Sequence, residues 1–248
     1  MEEAKKETEL EFLNEVAGQG YENVSGEDVT VPLLLIAQAL SGVVEAGTVQ
    51  AGHFYNSVTG EDYGTELDLV ICHYVRKWYV WLPEQKGLKG IYDVNSFSVS
   101  GDPYTGMTDA EGNKVEEKMV FMVVLPEHPE AGYMVFGSTP GNMKYTKAWL
   151  TQARNLRLPS GAAAPLFGGV WHVKIGKAQS KRTSNKYFAC CTEDGKSSFT
   201  FKGWIPQVLY NDSVLPAREM ASSALQLADY KAEQLSIEHT VTDEETNF

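Results

Sequence analysis

Seventeen consecutive residues, Glu66 to Leu82, read ELDLVICHYVRKWYVWL. A run so rich in Val, Ile, Tyr and Trp reads as a strand. It carries four large rings, Tyr74, Trp78, Tyr79 and Trp81, beside Arg76 and Lys77. Alternation puts Arg76 on the face of Tyr74 and Trp78, and Lys77 on the face of Tyr79 and Trp81. At least one face of such a strand has to be buried, so not all four rings can meet a ligand.

Around this strand the texture is β. Gly52 to Val58 and Ile91 to Val99 are strand candidates, and Asp102 to Asn113 is a polar, turn-rich excursion. Met119 to Leu125 and Tyr133 to Phe136 flank a hairpin turn. One helix is expected from Asn142 to Leu158, ended by Pro159-Ser160-Gly161. Trp149, Leu150, Ala153 and Leu156 give it an apolar face; Lys144, Lys147, Thr151 and Arg154 recur at i+3 and i+4 as a basic one. Val170 to Ile175, Tyr187 to Thr192 and Phe199 to Ile205 close the domain as strands, with a flexible basic loop over 176–185. Val31 to Val44 is apolar almost throughout, and periodicity does not decide between strand and helix there.

This order fits a mainly β (α+β) fold, an OB-like β-barrel with one principal helix and flexible acidic termini; a sandwich with a side helix matches the raw pattern equally. The expected organisation is an acidic N-terminal arm over 1–28, an OB-like single-stranded nucleic-acid-binding domain over 29–215, and a helical or disordered acidic tail over 216–248.

Taken alone, the net charge of −12 argues against a polyanionic partner, but its distribution reverses that. Residues 1–30 hold nine acids against Lys5 and Lys6, residues 229–248 hold six against Lys231, and the stretch between is neutral. Within it, residues 142–202 carry eleven bases and only two acids, Glu193 and Asp194. So asymmetric a block is an electrostatic footprint for a polyanion.

Other chemistries lack their residues. His53, His73, His128, His172 and His239 are scattered singly, so no metal is expected, and no cofactor motif is present. Cys72, Cys190 and Cys191 read as reduced space-fillers on strands. The acidic start is neither a signal nor a transit peptide, and no apolar run approaches membrane length. The expectation is a non-enzymatic cytoplasmic protein, in the host cytoplasm if viral, with no membrane partner and with oligomers possible.

Coating a single strand without reading it requires cations along the phosphates and flat rings for bases. The candidates for phosphate contact are Lys144, Lys147, Arg154, Lys177, Lys181, Arg182 and Lys186, joined by Arg76 and Lys77. Those for stacking are Trp78, Tyr79 and Trp171. Trp149, Phe199 and Phe201 are assigned to the core.

The chain ends Thr242-Asp243-Glu244-Glu245-Thr246-Asn247-Phe248, three acids before a terminal aromatic. This tail resembles that of bacteriophage single-stranded DNA-binding proteins of the OB-fold type. The segments Gly20-Tyr21-Glu22-Asn23-Val24, Pro32-Leu33-Leu34, Gln38-Ala39-Leu40-Ser41 and Ala51-Gly52-His53-Phe54-Tyr55-Asn56 are similar to that group too. The resemblance covers about the first third of the chain plus the tail. It implies an OB core, cooperative coating of replication and recombination intermediates, and recruitment of replication or recombination proteins through Asp243, Glu244, Glu245 and Phe248. One departure is the tail, whose three consecutive acids are fewer than the dense runs of that group. Two rivals predict differently. A protein-interaction module, inhibitor or adaptor, would use the acidic termini and ignore oligo-dT; a metal-dependent nuclease or recombination enzyme would cleave DNA.

Overall fold

Leu67 to Cys72 are buried without interruption, and this stretch decides the architecture. A computed structural model describes residues 31–83, 87–102, 106–139, 141–180 and 184–221, all within a compact unit that begins at Val31. The chain runs β1 (Leu34–Ile36), a short helix α1 (Gly42–Glu45), β2 (Phe54–Asn56), β3 (Asp62–Gly64) and β4 (Glu66–Trp81). Next come β5 (Leu88–Asp93), β6 (Ser100–Asp102), β7 (Gly106–Thr108), β8 (Lys114–Val124) and β9 (Tyr133–Ser138). The main helix α2 (Met143–Asn155) then precedes β10 (Gly169–Lys174), β11 (Gly176–Gln179), β12 (Lys186–Ala189) and β13 (Thr200–Trp204).

The spine is the antiparallel ladder of β4 with β8, from Val70↔Val124 to Trp81↔Lys114. At one end β10 and β13 extend it beyond β4, and β9 lies beyond β8; at the other end β5 flanks β4, and β7 with β6 flank β8. A bulge interrupts the spine: Ile71 faces Val123 and His73 faces Met122, leaving Cys72 as the extra residue. Before the bulge Leu67, Leu69 and Ile71 look toward α2; after it Tyr74 and Arg76 do, across from Phe121 and Met119, while Trp78 packs farther along with Val80, Met107 and Val115.

Both faces of the spine are covered. On the α2 side Trp149 is fully buried, stacked on Phe199 with ring centroids 4.1 Å apart and tilted against Phe121 at 5.0 Å. On the other side Val70, Cys72, Val120, Met122 and Val124 pack against Val214, Ala217 and Ala221. These last belong to a helical stretch from Gln207 that includes a π-helical turn, Tyr210–Val214.

The OB-like barrel expected from the element order is corrected: among the described residues the strands form three antiparallel sheets, and none closes. A barrel strand has one interior face, whereas the first part of β4 is buried on both. The basic loop over 176–185 is corrected as well, since β11 and β12 pair there as a hairpin; Lys181 and Arg182 lie outside the described residues. Within the polar excursion lies β7, paired with β6, which ends at the excursion's first residue, Asp102. Val31 to Val44 divides into β1 and α1. The arm over 1–28 and the tail residues Asp243, Glu244, Glu245 and Phe248 are also outside the described residues. Among those described, no helix is long and apolar enough to cross a membrane, and the three cysteines are free and buried.

Distant segments are fastened by side chains acting as strands. Gln38 Nε2 donates to the Phe188 carbonyl at 3.0 Å, and Gln38 Oε1 accepts from the Phe188 N–H at 2.9 Å. The Phe188 ring lies on Gly52, where a Cβ would come within 2.7 Å of it; Gly52 also has φ +86°.

Replacing Trp149 with Ala empties the centre of the larger core and should cost about 3–5 kcal/mol, read as a lower urea midpoint. The turn into β8 gives a pH test. The Asn113 side-chain amide donates to Asp109; burial opposes it, and the Asn113 N–H, Lys89 and the Glu111 N–H assist, so the carboxyl is held down to about 2. A carboxyl depressed in the fold stabilises above its unfolded pKa of about 4 and loses that contribution as pH falls toward 2. Asp109→Asn should therefore lower the melting temperature at neutral pH and close the gap to wild type near pH 2.

Candidate nucleic-acid interface

The helix α2 supplies the first cations. Tyr145, Thr146, Trp149 and Ala153 are its buried residues, so the 3.6-residue period leaves Lys144, Lys147, Thr151 and Arg154 exposed in one stripe. Its N-cap Asn142 does not cap the helix; its Oδ1 accepts the Cys190 N–H at 2.8 Å instead. The Tyr187 hydroxyl donates to the Gly141 carbonyl at 3.2 Å, and Ser197 Oγ donates to the Tyr145 carbonyl at 3.0 Å. The β11–β12 hairpin is thereby fastened to the end of α2 that carries Lys144. Register puts Lys177 opposite Phe188 and Lys186 opposite Gln179, so both lysines stand on one face of the hairpin, exposed.

Between α2 and the spine lies a shallow groove of about 300 Å³, lined by Tyr74, Arg76, Glu117, Met119, Lys147, Leu150, Thr151 and Arg154. Three predicted phosphate contacts, Arg76, Lys147 and Arg154, meet there from segments far apart in sequence. Glu117 anchors two of them. Its Oε2 accepts from Lys147 Nζ at 3.1 Å, and Arg76 Nε stands 3.5 Å from its Oε1. The Glu117 side chain is only 10% exposed, and Oε1 receives no hydrogen bond. Half-buried Tyr74 contributes a ring packed on Phe121 at 5.1 Å; burial pushes its hydroxyl pKa up, keeping it a neutral donor.

Pairing divides the remaining basic block. Lys174 is bound to Glu66, Lys196 to Asp194 and Lys202 to Asp68. Burial raises the Asp68 carboxyl, but hydrogen bonds from Lys202 and His172 outweigh it and hold the pKa below the ordinary value. Lys144, Arg154, Arg157, Lys177 and Lys186 have no acidic partner among the described residues.

The stacking candidates fare differently. Trp171 is 1% exposed, edge-on to Trp149 at 6.2 Å, and is corrected to a core residue. Tyr79 is 6% exposed with the Lys118 ammonium 4.0 Å from its ring centroid, so its face is already occupied. Lys77 lies on the Tyr79 side, 3.2 Å from Asp93, away from the groove. Trp78 is half-buried, with the Arg76 guanidinium 5.9 Å from its ring centroid. Phe199 is core as expected, whereas Phe201, assigned to the core, is 38% exposed beside equally exposed Trp204 on β13. Sequence reasoning missed Glu117, an acid surrounded in sequence by other charges; only the β4–β8 register brings it under Arg76.

Glu61, His128 and Glu130 form the one grouping of His and carboxylates among the described residues with ligand atoms within 4.8 Å of each other. The Tyr63 hydroxyl donates to Glu61 there at 3.1 Å.

Neither the curated proteins nor the solved structures contain a match to this chain. Residues 3–213 match the family described as Pam3 phage gp34-like protein, a span that takes in the groove, α2 and the hairpin. The chain belongs to the Pam3 phage gp34-like protein family.

Proposed function

We propose that this protein binds single-stranded DNA without reading an extended sequence, as a non-enzymatic phage protein acting on replication or recombination intermediates in the host cytoplasm. The observation that carries the reading is the groove, where Arg76, Lys147 and Arg154 converge beside the ring of Tyr74. Lys144, Lys177 and Lys186, free of acidic partners among the described residues, extend its positive charge from the helix to the fastened hairpin. Cations that no carboxylate neutralises are those that gain most by releasing counterions from a phosphate chain. The half-buried ring of Trp78 and the exposed pair Phe201 and Trp204 are further flat surfaces for bases, each stacked base contributing about 1–3 kcal/mol. A closed barrel is not needed for this mode of binding. The acidic end, Asp243, Glu244, Glu245 and Phe248, competes with DNA for the cationic surface and recruits a replication or recombination protein.

Fluorescence titration with oligo-dT over a range of salt tests the reading. Neutralising about five phosphates gives log K against log salt a slope near −3.5, at about −0.7 per phosphate. Arg154→Ala should weaken binding to all sequences and make the slope shallower by about 0.7. Lys196→Ala, whose amine is bound to Asp194, should leave both unchanged. Deleting residues 240–248 should tighten binding. Failure to bind oligo-dT at low salt would overturn the assignment.

A further inference from the structure

The groove holds an unmet demand that phosphate binding does not explain. Glu117 is nine-tenths buried in a groove meant for an anion, and its Oε1 accepts nothing, although Oε2 is satisfied by Lys147. A carboxylate ion-paired with Arg76 and Lys147 beneath a phosphate path draws on the cations that path needs. It becomes useful only if the ligand brings a hydrogen-bond donor to Oε1.

The surroundings restrict that donor. Arg76, Lys147 and Arg154 line the same groove, so a cationic amine is repelled. A phosphodiester group carries no proton at neutral pH, so by itself it offers no donor and is repelled by the carboxylate. What satisfies both conditions is an anionic chain bearing neutral N–H groups, which is the chemistry of a nucleobase amino group on a phosphodiester backbone. Carboxylates accept from the cytosine N4 amino group in this way. Thymine lacks an amino group, and its single N3–H sits between two carbonyls that would face the carboxylate.

Access has a route. Arg76 is 46% exposed and its Nε stands 3.5 Å from Oε1, an ion pair without a hydrogen bond, for which a phosphate can compete. A phosphate that draws the guanidinium outward uncovers Oε1 at the moment a base arrives. Leu150 and Met119 supply apolar walls, and Tyr74 a ring, for a base seated beside the carboxylate.

We infer that Glu117 is a base-selecting residue whose free carboxylate oxygen accepts a hydrogen bond from a nucleobase amino group in the groove, favouring cytosine over thymine. The inference rests on the single-strand-binding reading and adds a preference to it.

The test compares oligo-dC with oligo-dT at pH 8, where cytosine N3 is unprotonated, on the full chain. Wild type should bind oligo-dC about tenfold more tightly, the lower range of a hydrogen bond to a charged group. Glu117→Gln, nearly isosteric, should shrink the ratio and tighten oligo-dT binding, because one negative charge leaves the phosphate path. Glu117→Leu should bring the ratio to about one. Each ratio is taken within one protein preparation, so a partly unfolded variant affects both affinities equally. Equal wild-type affinities, or a preference that survives in Glu117→Leu, would overturn the selecting role while leaving single-strand binding intact. If wild type binds neither oligonucleotide, the binding assignment fails and this inference with it.

Discussion

A strand with six consecutive buried positions has to be covered on both sides, and β4 is that strand. The chain meets the demand with α2 and its Trp149 on one face and the helical stretch after Gln207 on the other. A sheet covered twice is a central layer and has no use for closure, so the remaining strands are free to branch from its edges. The groove is a by-product of this layering. Along the flank of α2, Lys147, Leu150, Thr151 and Arg154 face Arg76 and Glu117 of the sheet across it.

Much of this was legible in the residues. The long strand, the hairpin of β8 and β9, the extent of α2 and the polarity of its two faces follow from composition and period alone, because each is a local property. The layering does not follow from the residues: the element order suggests a barrel, and Leu67 to Cys72, with Asp68 among them, do not alone announce burial on both faces. The bulge at Cys72 was not legible, since it depends on which residues β8 presents across the ladder. Nor was the place of Trp171: a Trp flanked by Val170 and His172 suits either an open or a closed surface, and Trp149, some twenty residues earlier, closes it. The β11–β12 hairpin hid behind a run of Lys, Ser and Gly because its stability comes from Gln38, Asn142 and Gly52 rather than from its own composition.

Charge shows a similar division between local and distant determinants. Eleven bases in one block looked like a single surface, yet Lys174, Lys196 and Lys202 are consumed by acids close to them in the fold. What remains unpaired among the described residues is a smaller set, Lys144, Arg154, Arg157, Lys177 and Lys186, while Lys147 and Arg76, the latter outside the block, share Glu117 in the groove. The cations open to a ligand are therefore selected by where the acids fall, a pairing that only the tertiary structure supplies.

The extra residue at Cys72 bears on how such a chain can vary. Loss of Cys72 itself would leave Ile71, His73 and Tyr74 alternating regularly opposite Val123, Met122 and Phe121, so the ladder closes up and Tyr74 and Arg76 keep their place beside the helix. A residue gained or lost in β4 with no bulge to absorb it exchanges the two surfaces beyond it. Within this family, length changes in β4 should therefore gather at position 72, and a homologue lacking the extra residue should still carry the cationic groove.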